Sequence, residues 1–548
     1  MSPRLKRAIG LTAVPALALT TLAALPTAPA NAAEVDPAPL EAGSAWLVDQ
    51  VTDGLVHNNQ FDFDDYGLSI DVALGLDAAG GHDETVQEVA DAIATNLDFY
   101  VGYDYFPVPE EGELRHVLAG SIAKAMVFAQ TAGRDETSYG GHDLVTELED
   151  QVVETGPALG RIQDTFNPDV QFEADFSNTF GQLYAAQGLD AAGSTLAGPV
   201  TEFLLDQQCA EGFFRQDFAA IDAPDQTCDG DDGAQSSTDV TALAVLALLP
   251  QADDTDVQAA IDAAIGWLVD VQAADGSFGS GADIPTPNTN SSGLAGWALG
   301  ETEETAAAEK AAAWVRGRQV DEPAPCVTEL NDQQGAIAYD HAALAAGRTD
   351  GLTVELEDQW RRASAQALPA LQWAPSVGSG PVTPIKTSGF FQAGTKVTLG
   401  ADGFAPGDAV CFRLGGQGVG VGNAGLNGQA LLRVSLPDGS RTRTYLSSTG
   451  EAEGQPLSFR VLDAKTLPVE VRSRVARGGT QVVKINGLAD GEKYRVTYRG
   501  KKVGAGKAGD QGRATVRFGV GQKVGKTKVV VLGEFKNRRA AKAFTVTR

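Results

Sequence analysis

Cationic residues are scarce through most of this 548-residue chain: residues 34–375 hold 11 Lys and Arg against 61 Asp and Glu, a net of −50. A field of that sign repels nucleic acid and anionic membranes, so neither is expected as a partner of this stretch. Beyond the N-terminus there is no uninterrupted apolar run of the ~18 residues that reads as a transmembrane helix. Histidines number five and do not cluster, which leaves no ligand set for a catalytic zinc. The chain lacks a Gly-x-Ser-x-Gly elbow and a Gly-rich phosphate loop followed by Lys, and no cysteine lies in a Gly-Cys-Gly-Glu-Gln context. Serine-hydrolase, P-loop and reactive-thioester chemistry are thereby set aside. Aromatics make up 7%, few for a cavity that would hold a carbocation against ring faces.

The N-terminus has a distinct character. Arg4, Lys6 and Arg7 precede an apolar stretch broken by Pro15, and small residues surround Ala30-Asn31-Ala32. Residues 1–32 therefore read as a secretory signal peptide, with the mature protein outside the membrane. The β-like C-terminal run of residues 543–548 offers no sorting helix, so any retention at the cell surface is expected to be non-covalent. Four cysteines suit an oxidising compartment. Cys209 and Cys228 bracket a Gly- and Asp-rich loop and are the expected pair, a closure worth about 3 kcal/mol in the chain-entropy model. Cys326 and Cys411 either staple the helical region to the β-region or remain buried thiols.

From residue 41 to 373 two kinds of helical segment alternate. Charged amphipathic segments fall near 41–52, 83–99, 143–154, 197–208, 257–272 and 304–319; small, nearly neutral ones near 66–80, 113–132, 178–193, 236–249, 290–300 and 333–347. The first kind belongs outside and the second inside. Six such hairpins make a double ring over residues 33–375, with a last helix at 353–372 closing the set. The turn between partners is clearest at Gln272-Ala273-Ala274-Asp275-Gly276-Ser277-Phe278-Gly279, with partial copies after Gln50, Gln208 and Gln319. This turn resembles the Q/W repeat of the terpenoid-cyclase and protein-prenyltransferase superfamily, which implies an all-α (α/α)6 toroid. The superfamily spans cyclases, prenyltransferase subunits, thioester domains and cobalamin carriers, so the resemblance selects a fold and no single activity.

In such a ring, polar residues at the start of inner helices face one mouth. They are Arg115 and His116, Asp175 and Asn178, Ser237 and Asp239, Asn290, and Tyr339 with His341. Asp62-Phe63-Asp64-Asp65 resembles the D-x-D-D motif of class II terpene cyclases. That likeness implies Asp64 as the acid that protonates an alkene, with Asp62 and Asp65 tuning it. The same residues also read as helix caps in an acidic turn. His341 loosely resembles the zinc-binding His of prenyltransferases, but the Asp-x-Cys pair that goes with it is missing, and no zinc is expected. Asp229, Asp231 and Asp232 sit among glycines as hard cations such as Ca²⁺ prefer; Val240 stands where an EF-hand needs Glu, and an acidic surface turn is the alternative. No other cofactor is indicated.

After the Pro/Gly/Ser linker at 376–383, strand-like alternations occupy 384–465 and 466–548. Glycine-containing turns at 403–408 and 428–430 recur at 487–492 and 512–514, as expected of two Ig-like sandwiches. Residues 376–465 carry 8 Lys and Arg against 6 acids, and residues 466–548 carry 20 against 5. Arg472, Arg474, Arg477, Lys493, Arg495, Arg499, Lys501, Lys502 and Lys507 alternate with apolar residues in the last module. They predict a one-signed face that grips an anionic envelope polymer or packs on the chain's own acidic ring. The combined expectation is a secreted, envelope-associated ligand-binding or surface-display protein with a small apolar or mixed ligand in the ring cavity. An enzyme on the same ring, isoprenoid-processing or polysaccharide-cleaving, is the alternative. The second version would use Tyr339, His341, His116 and Arg115.

Overall fold

The computed structural model describes residues 35–104, 115–169, 174–231, 233–282, 284–376, 378, 380–385, 389–449 and 453–548. The expected signal peptide, Asp232 and part of the linker lie outside the described residues. Helices α1 (Ala38–Val48) and α2 (Tyr66–Ala79) form a first antiparallel pair, followed by α3 (Asp83–Val101) with α4 (Ala119–Thr131) and α5 (Leu144–Glu149) with α6 (Thr179–Ala192). Next come α7 (Ala197–Asp206) with α8 (Thr238–Leu248), α9 (Thr255–Val271) with α10 (Thr289–Glu301), α11 (Thr305–Arg316), α12 (His341–Asp350) and α13 (Val354–Ala367). Each even-numbered helix from α2 to α10 packs on the next, α10 packs on α13, and α13 packs back on α2. Six inner helices thus close on themselves, inside an outer set made by α1, α3, α5, α7, α9 and α11: an α/α toroid.

Small residues make that closure feasible. A Cβ at Gly181 would lie 2.9 Å from Gly120 Cα, one at Gly75 2.7 Å from Ala365 O, and one at Gly293 2.3 Å from Ala367 Cα. At these seams a side chain would push neighbouring inner helices apart, which is why the inner segments are rich in Gly and Ala.

The repeat turn has a definite job. Gln272 Nε2 donates to Gly276 O of its own turn at 3.2 Å and to Ala307 O of the next outer helix at 2.9 Å. Gln208 does the same to Gly212 O and Ala260 O, both at 2.9 Å. Gln319 donates to Gly335 O at 3.1 Å and to Pro39 O of α1 at 2.8 Å, joining the last repeat to the first. The turn glycine has no room for a Cβ: at Gly276, φ is +89° and a Cβ would sit 2.3 Å from Lys310 O.

One expectation fails at the sixth hairpin. Two residues beyond each of these turn glycines an N–H donates into the inner helix: Phe214 to Thr241 Oγ1, Phe278 to Ser292 Oγ, and Ile337 to Ser364 Oγ, all at 2.9 Å. Ser364 belongs to α13, so α13 is the sixth inner helix. The segment expected there, 333–347, is instead a turn followed by α12, which lies mostly exposed outside the ring. The reversal arises because α13 carries Glu355, Glu357, Asp358, Arg361 and Arg362 at its N-terminal end, charge that marks an outer helix elsewhere in the chain.

Two β-sandwiches of Ig-like kind follow. In the first, a three-stranded sheet (Gln429–Ser435, Lys396–Asp402, Thr383–Pro384) faces a five-stranded one (Phe390–Gln392, Leu457–Leu462, Arg441–Ser448, Ala409–Leu414, Gln417–Asn423). In the second, Val469–Val471, Thr480–Ile485 and Ala514–Gly519 face a larger sheet containing Lys501–Lys507, Lys493–Tyr498, Gly525–Leu532 and Arg538–Thr547. Both disulfides are formed: Cys209–Cys228, and Cys326–Cys411, which staples the ring to the first sandwich. Beside the staple, Arg316 at the end of α11 pairs with Asp408 of the first sandwich at 2.8 Å and with Asp36 at 2.7 Å. Among the described residues, no helix is long and apolar enough to cross a membrane.

Candidate functional site

The axis of the ring is a two-chambered cavity. Toward the C-terminal ends of the inner helices, about 390 Å³ is lined mainly by apolar side chains, among them Leu183, Leu246, Leu294 and Trp297. Toward their N-terminal ends, about 330 Å³ is bordered by Leu118, Ser121, Asp164 and Phe176. Asp71, Tyr184, Leu243 and Gln366 line both, and so form the waist.

At the waist Lys124 Nζ reaches from α4 to Asp71 of α2, 2.6 Å away, and donates to Gly67 O at 3.0 Å. The two side chains are only 15% and 23% exposed. Burial alone lowers the ammonium pKa, but the adjacent Asp71 carboxylate, with Tyr100 and Tyr184, more than reverses this and holds it above the ordinary lysine value. Burial, only partly opposed by Lys124, pushes the Tyr184 phenol up to about 12, and it likewise raises Tyr100. Lys124 is thus cationic and both tyrosines neutral around pH 7. Neither Lys124 nor Asp71 was singled out from the sequence, where attention went to helix starts. The signal was a lysine and an aspartate in the middle of otherwise apolar inner helices, where an unpaired charge would be costly.

The D-x-D-D segment lies outside both axial chambers, with Asp62 and Asp64 exposed and Asp65 largely buried. Asp65 caps α2 by accepting from Leu68 N at 2.9 Å and pairs with Arg362 of α13. Asp64 holds His57 Nδ1 at 2.8 Å, and the Asp62 side chain is 97% exposed. The three carboxylates bracket an exposed turn and border neither axial chamber.

The remaining candidates divide among several places. Arg115 is tied to Asp98 and to Gly102 O. His116, fully buried, stacks on Phe176 with ring centres 5.6 Å apart and shares a hydrogen bond of 2.9 Å with Tyr103. Asp175 pairs with Arg161 at 2.6 Å, and Asn178 caps α6 while bordering the chamber at the N-terminal ends of the inner helices. Ser237 caps α8. Asp239 accepts from Ser280 Oγ at 3.0 Å and burial raises its carboxyl pKa; burial, followed by the Asp239 and Asp340 charges, raises the Tyr339 phenol. Asn290 Oδ1 is buried with no hydrogen-bond partner among the described residues. His341 starts α12 and faces a separate cleft of about 740 Å³ between ring and first sandwich, beside Arg318 and Arg348. Partial burial and those two guanidinium groups depress its pKa. Tyr339 and His341 therefore do not enter the axial cavity through a sixth inner helix as expected.

In the acidic loop, Asp229 accepts from Ala210 N at 3.0 Å, and Asp231 pairs at 3.2 Å with Arg215, which is 1% exposed. Arg215 serves as the loop's buried cation. Asp229 and Glu211 also approach Cys209, whose sulfur the disulfide removes as a thiolate ligand.

No family model and no curated protein matches the sequence. Among solved structures the ring is similar to the type II terpene cyclase MstE from Scytonema, at 14% identity and a TM-score of 0.41, covering 61% of this chain and 96% of that one. It is also similar to the GH76 α-mannanase BT2949 of Bacteroides thetaiotaomicron, at 9% identity and a TM-score of 0.40, covering 62% and 95%. The C-terminal part is similar to the adhesin FdeC of Escherichia coli, at 12% identity and a TM-score of 0.22, covering 32% of this chain and 67% of that one. These neighbours have the toroid and Ig-like architectures described above. At such identities and scores they carry nothing about activity.

Proposed function

We propose that the ring is an extracytoplasmic receptor for a small ligand with an apolar body and a polar end, held near the cell envelope by the β-modules. The observation that carries this reading is an apolar chamber of about 390 Å³ that ends on the buried Lys124–Asp71 pair. Pockets of this size, mostly apolar with a few placed polar groups, are the usual form of small-molecule sites. The protonation states favour binding over turnover, because a lysine held above its ordinary value and a phenol at about 12 exchange protons poorly near neutral pH. Two disulfides and the N-terminal charge and apolar pattern support export.

The test is native mass spectrometry of the secreted protein, paired with Leu246→Trp, which fills the chamber. A co-purified organic molecule lost in the variant, with the fold retained, is the expected result. An empty wild-type protein that turns over an isoprenoid or a glycan would overturn the reading. The enzyme alternative has one foothold, Asp239 near Tyr339, whose carboxyl burial pushes above its ordinary value. It predicts that Asp239→Asn abolishes turnover without unfolding.

A further inference from the structure

The larger sheet of the second sandwich turns one face into the core and leaves the other bare. Val496, Val529, Val531, Phe544 and Val546 are buried on the inner face. Strand alternation then places Lys493, Arg495, Lys526, Lys528 and Arg539 outward. Registry adds Lys507 opposite Lys493 and Lys502 opposite Thr497, beyond a bulge at Val496/Thr497. Arg495 lies opposite Leu532, which in turn lies opposite Arg539, so the charges extend across adjacent strands. Arg474 joins at the edge, opposite Thr545. No outward strand position on this face is acidic or aromatic; those between the cations are Ala, Thr, Val and Leu. Lys501 falls opposite Tyr498, an inward position, while Arg472 and Arg477 lie outside the strands.

Two ordinary explanations do not cover this face. Lysines on an edge strand discourage pairing with another sheet, which accounts for Lys502 and Lys507 in Lys501–Lys507. Arg495 and Arg539, however, are each paired on both sides at their own positions and so guard no edge, whereas Lys526 and Lys528 pair only with Arg538–Thr547. Docking on the acidic ring would neutralise the charge. Among the described residues, the ion pairs of this module are Lys493–Glu534 and Arg538–Glu492, both internal. Lys493 and Lys507 even face each other across strands, a like-charge arrangement that opposes folding.

The face also has relief. A groove of about 510 Å³ runs over Thr497, Val530 and Ala543, with Lys526, Lys528 and Arg499 along it. Cations recur about 7 Å apart along a strand, and neighbouring strands are about 5 Å apart. We propose that this face binds a linear phosphate polymer, an extended chain bearing one anionic group per short repeat. The proposal rests on the reading of the β-modules as the envelope-facing end. A chain is favoured over a bilayer because the face presents no outward aromatic side chain to insert, and its larger apolar positions, Val530 and Leu532, are half-buried among the cations. The small floor residues let a narrow backbone lie against the sheet, and the flanking cations neutralise successive charges.

The experiment uses the full secreted chain and long-chain inorganic polyphosphate as the probe. Wild type should bind with a steep salt dependence. Arg495→Gln, Lys502→Gln, Lys526→Gln and Lys528→Gln together should weaken binding at least 100-fold. A control with the same loss of charge, Arg472→Gln, Lys484→Gln, Arg513→Gln and Arg517→Gln, should weaken it less than 10-fold. The exposed sites leave the core untouched, and an unchanged melting transition checks this. Equal losses in the two variants, no binding by wild type, or tighter binding to anionic phospholipid vesicles than to polyphosphate would each overturn the proposal. If deleting residues 466–548 still releases protein from cells while the wild type ignores polyphosphate, the anchoring reading survives and this inference falls.

Discussion

In the first sandwich Ala405 N donates to Asp408 Oδ2 at 2.9 Å, and in the second Ala489 N donates to Glu492 Oε2 at 2.6 Å. The flanking turns match as well: Phe404 N bonds Gly428 O, and Leu488 N bonds Gly512 O. The two modules share one loop, yet its carboxylate finds different partners. Asp408 meets Arg316 of the ring, and the preceding Gly407 lets Ala313 O approach to where a Cβ would lie 2.7 Å away. Glu492 is satisfied within its own module by Arg538, at 2.7 and 2.8 Å, while at Gly491 a Cβ would meet nothing nearer than 4.0 Å. A buried carboxylate needs a cation. Where the cation sits on another domain the loop becomes a dock, and where it is internal the module keeps its surface for other partners.

The largest effect should come from breaking the internal pair. Arg538→Met leaves Glu492, with a fully buried side chain, without a cation. The second module should lose about 3–5 kcal/mol in chemical denaturation, with the ring transition unmoved. A loss confined to the ring would reverse the assignment of the two roles.

Cys326→Ser with Cys411→Ser removes a crosslink between residues 85 apart in sequence. A loss of about 2–4 kcal/mol is expected, seen as faster proteolysis at the ring–sandwich junction with the second module unaffected. Arg316→Leu should cost somewhat less, about 1.5–3 kcal/mol, since charged hydrogen bonds are lost but the crosslink remains. Calorimetry of the first module's transition would show it.

The smallest effect is on pH dependence. Burial pushes the Asp408 carboxyl up to about 6 from an ordinary 3.8, against the opposing pull of Arg316. A carboxyl raised in the folded state favours folding when protonated. Its contribution is therefore complete below pH ~4 and disappears as pH rises through about 6. Between pH 7 and 5 the docked state should gain on the order of 1–2 kcal/mol, and Asp408→Asn should flatten the curve. A wild type that loses stability over that interval would contradict the assignment.

Much of the ring was legible because its instructions are local. Gln272, Asp275 and Gly276 specify a turn within five residues, and five of the six inner helices lie close to where neutral Ala/Gly segments had been read. The sixth was misread because α13 announces itself through Ser364 and Ala365, which matter only once Ile337 and Gly75 are beside them. Lys124 and Asp71 escaped notice for a related reason: their positions, 53 residues apart in the chain, say nothing of a 2.6 Å contact. The D-x-D-D residues show the converse: a motif readable in four letters borders neither axial chamber, and its helix-cap reading is the one Asp65 fits.

The sequence by itself determined the helical repeat, the two-module β-region, the Cys209–Cys228 loop and the division of charge, because each rests on neighbours in the chain or on composition. Tertiary structure alone decided which helix closes the ring, that Cys326 reaches Cys411, and which lysines share a face. It also placed a charge pair at the waist of the cavity. All four require groups distant in sequence to be packed within a few ångströms, and packing depends on the shape of the whole ring and sandwich rather than on any segment of it.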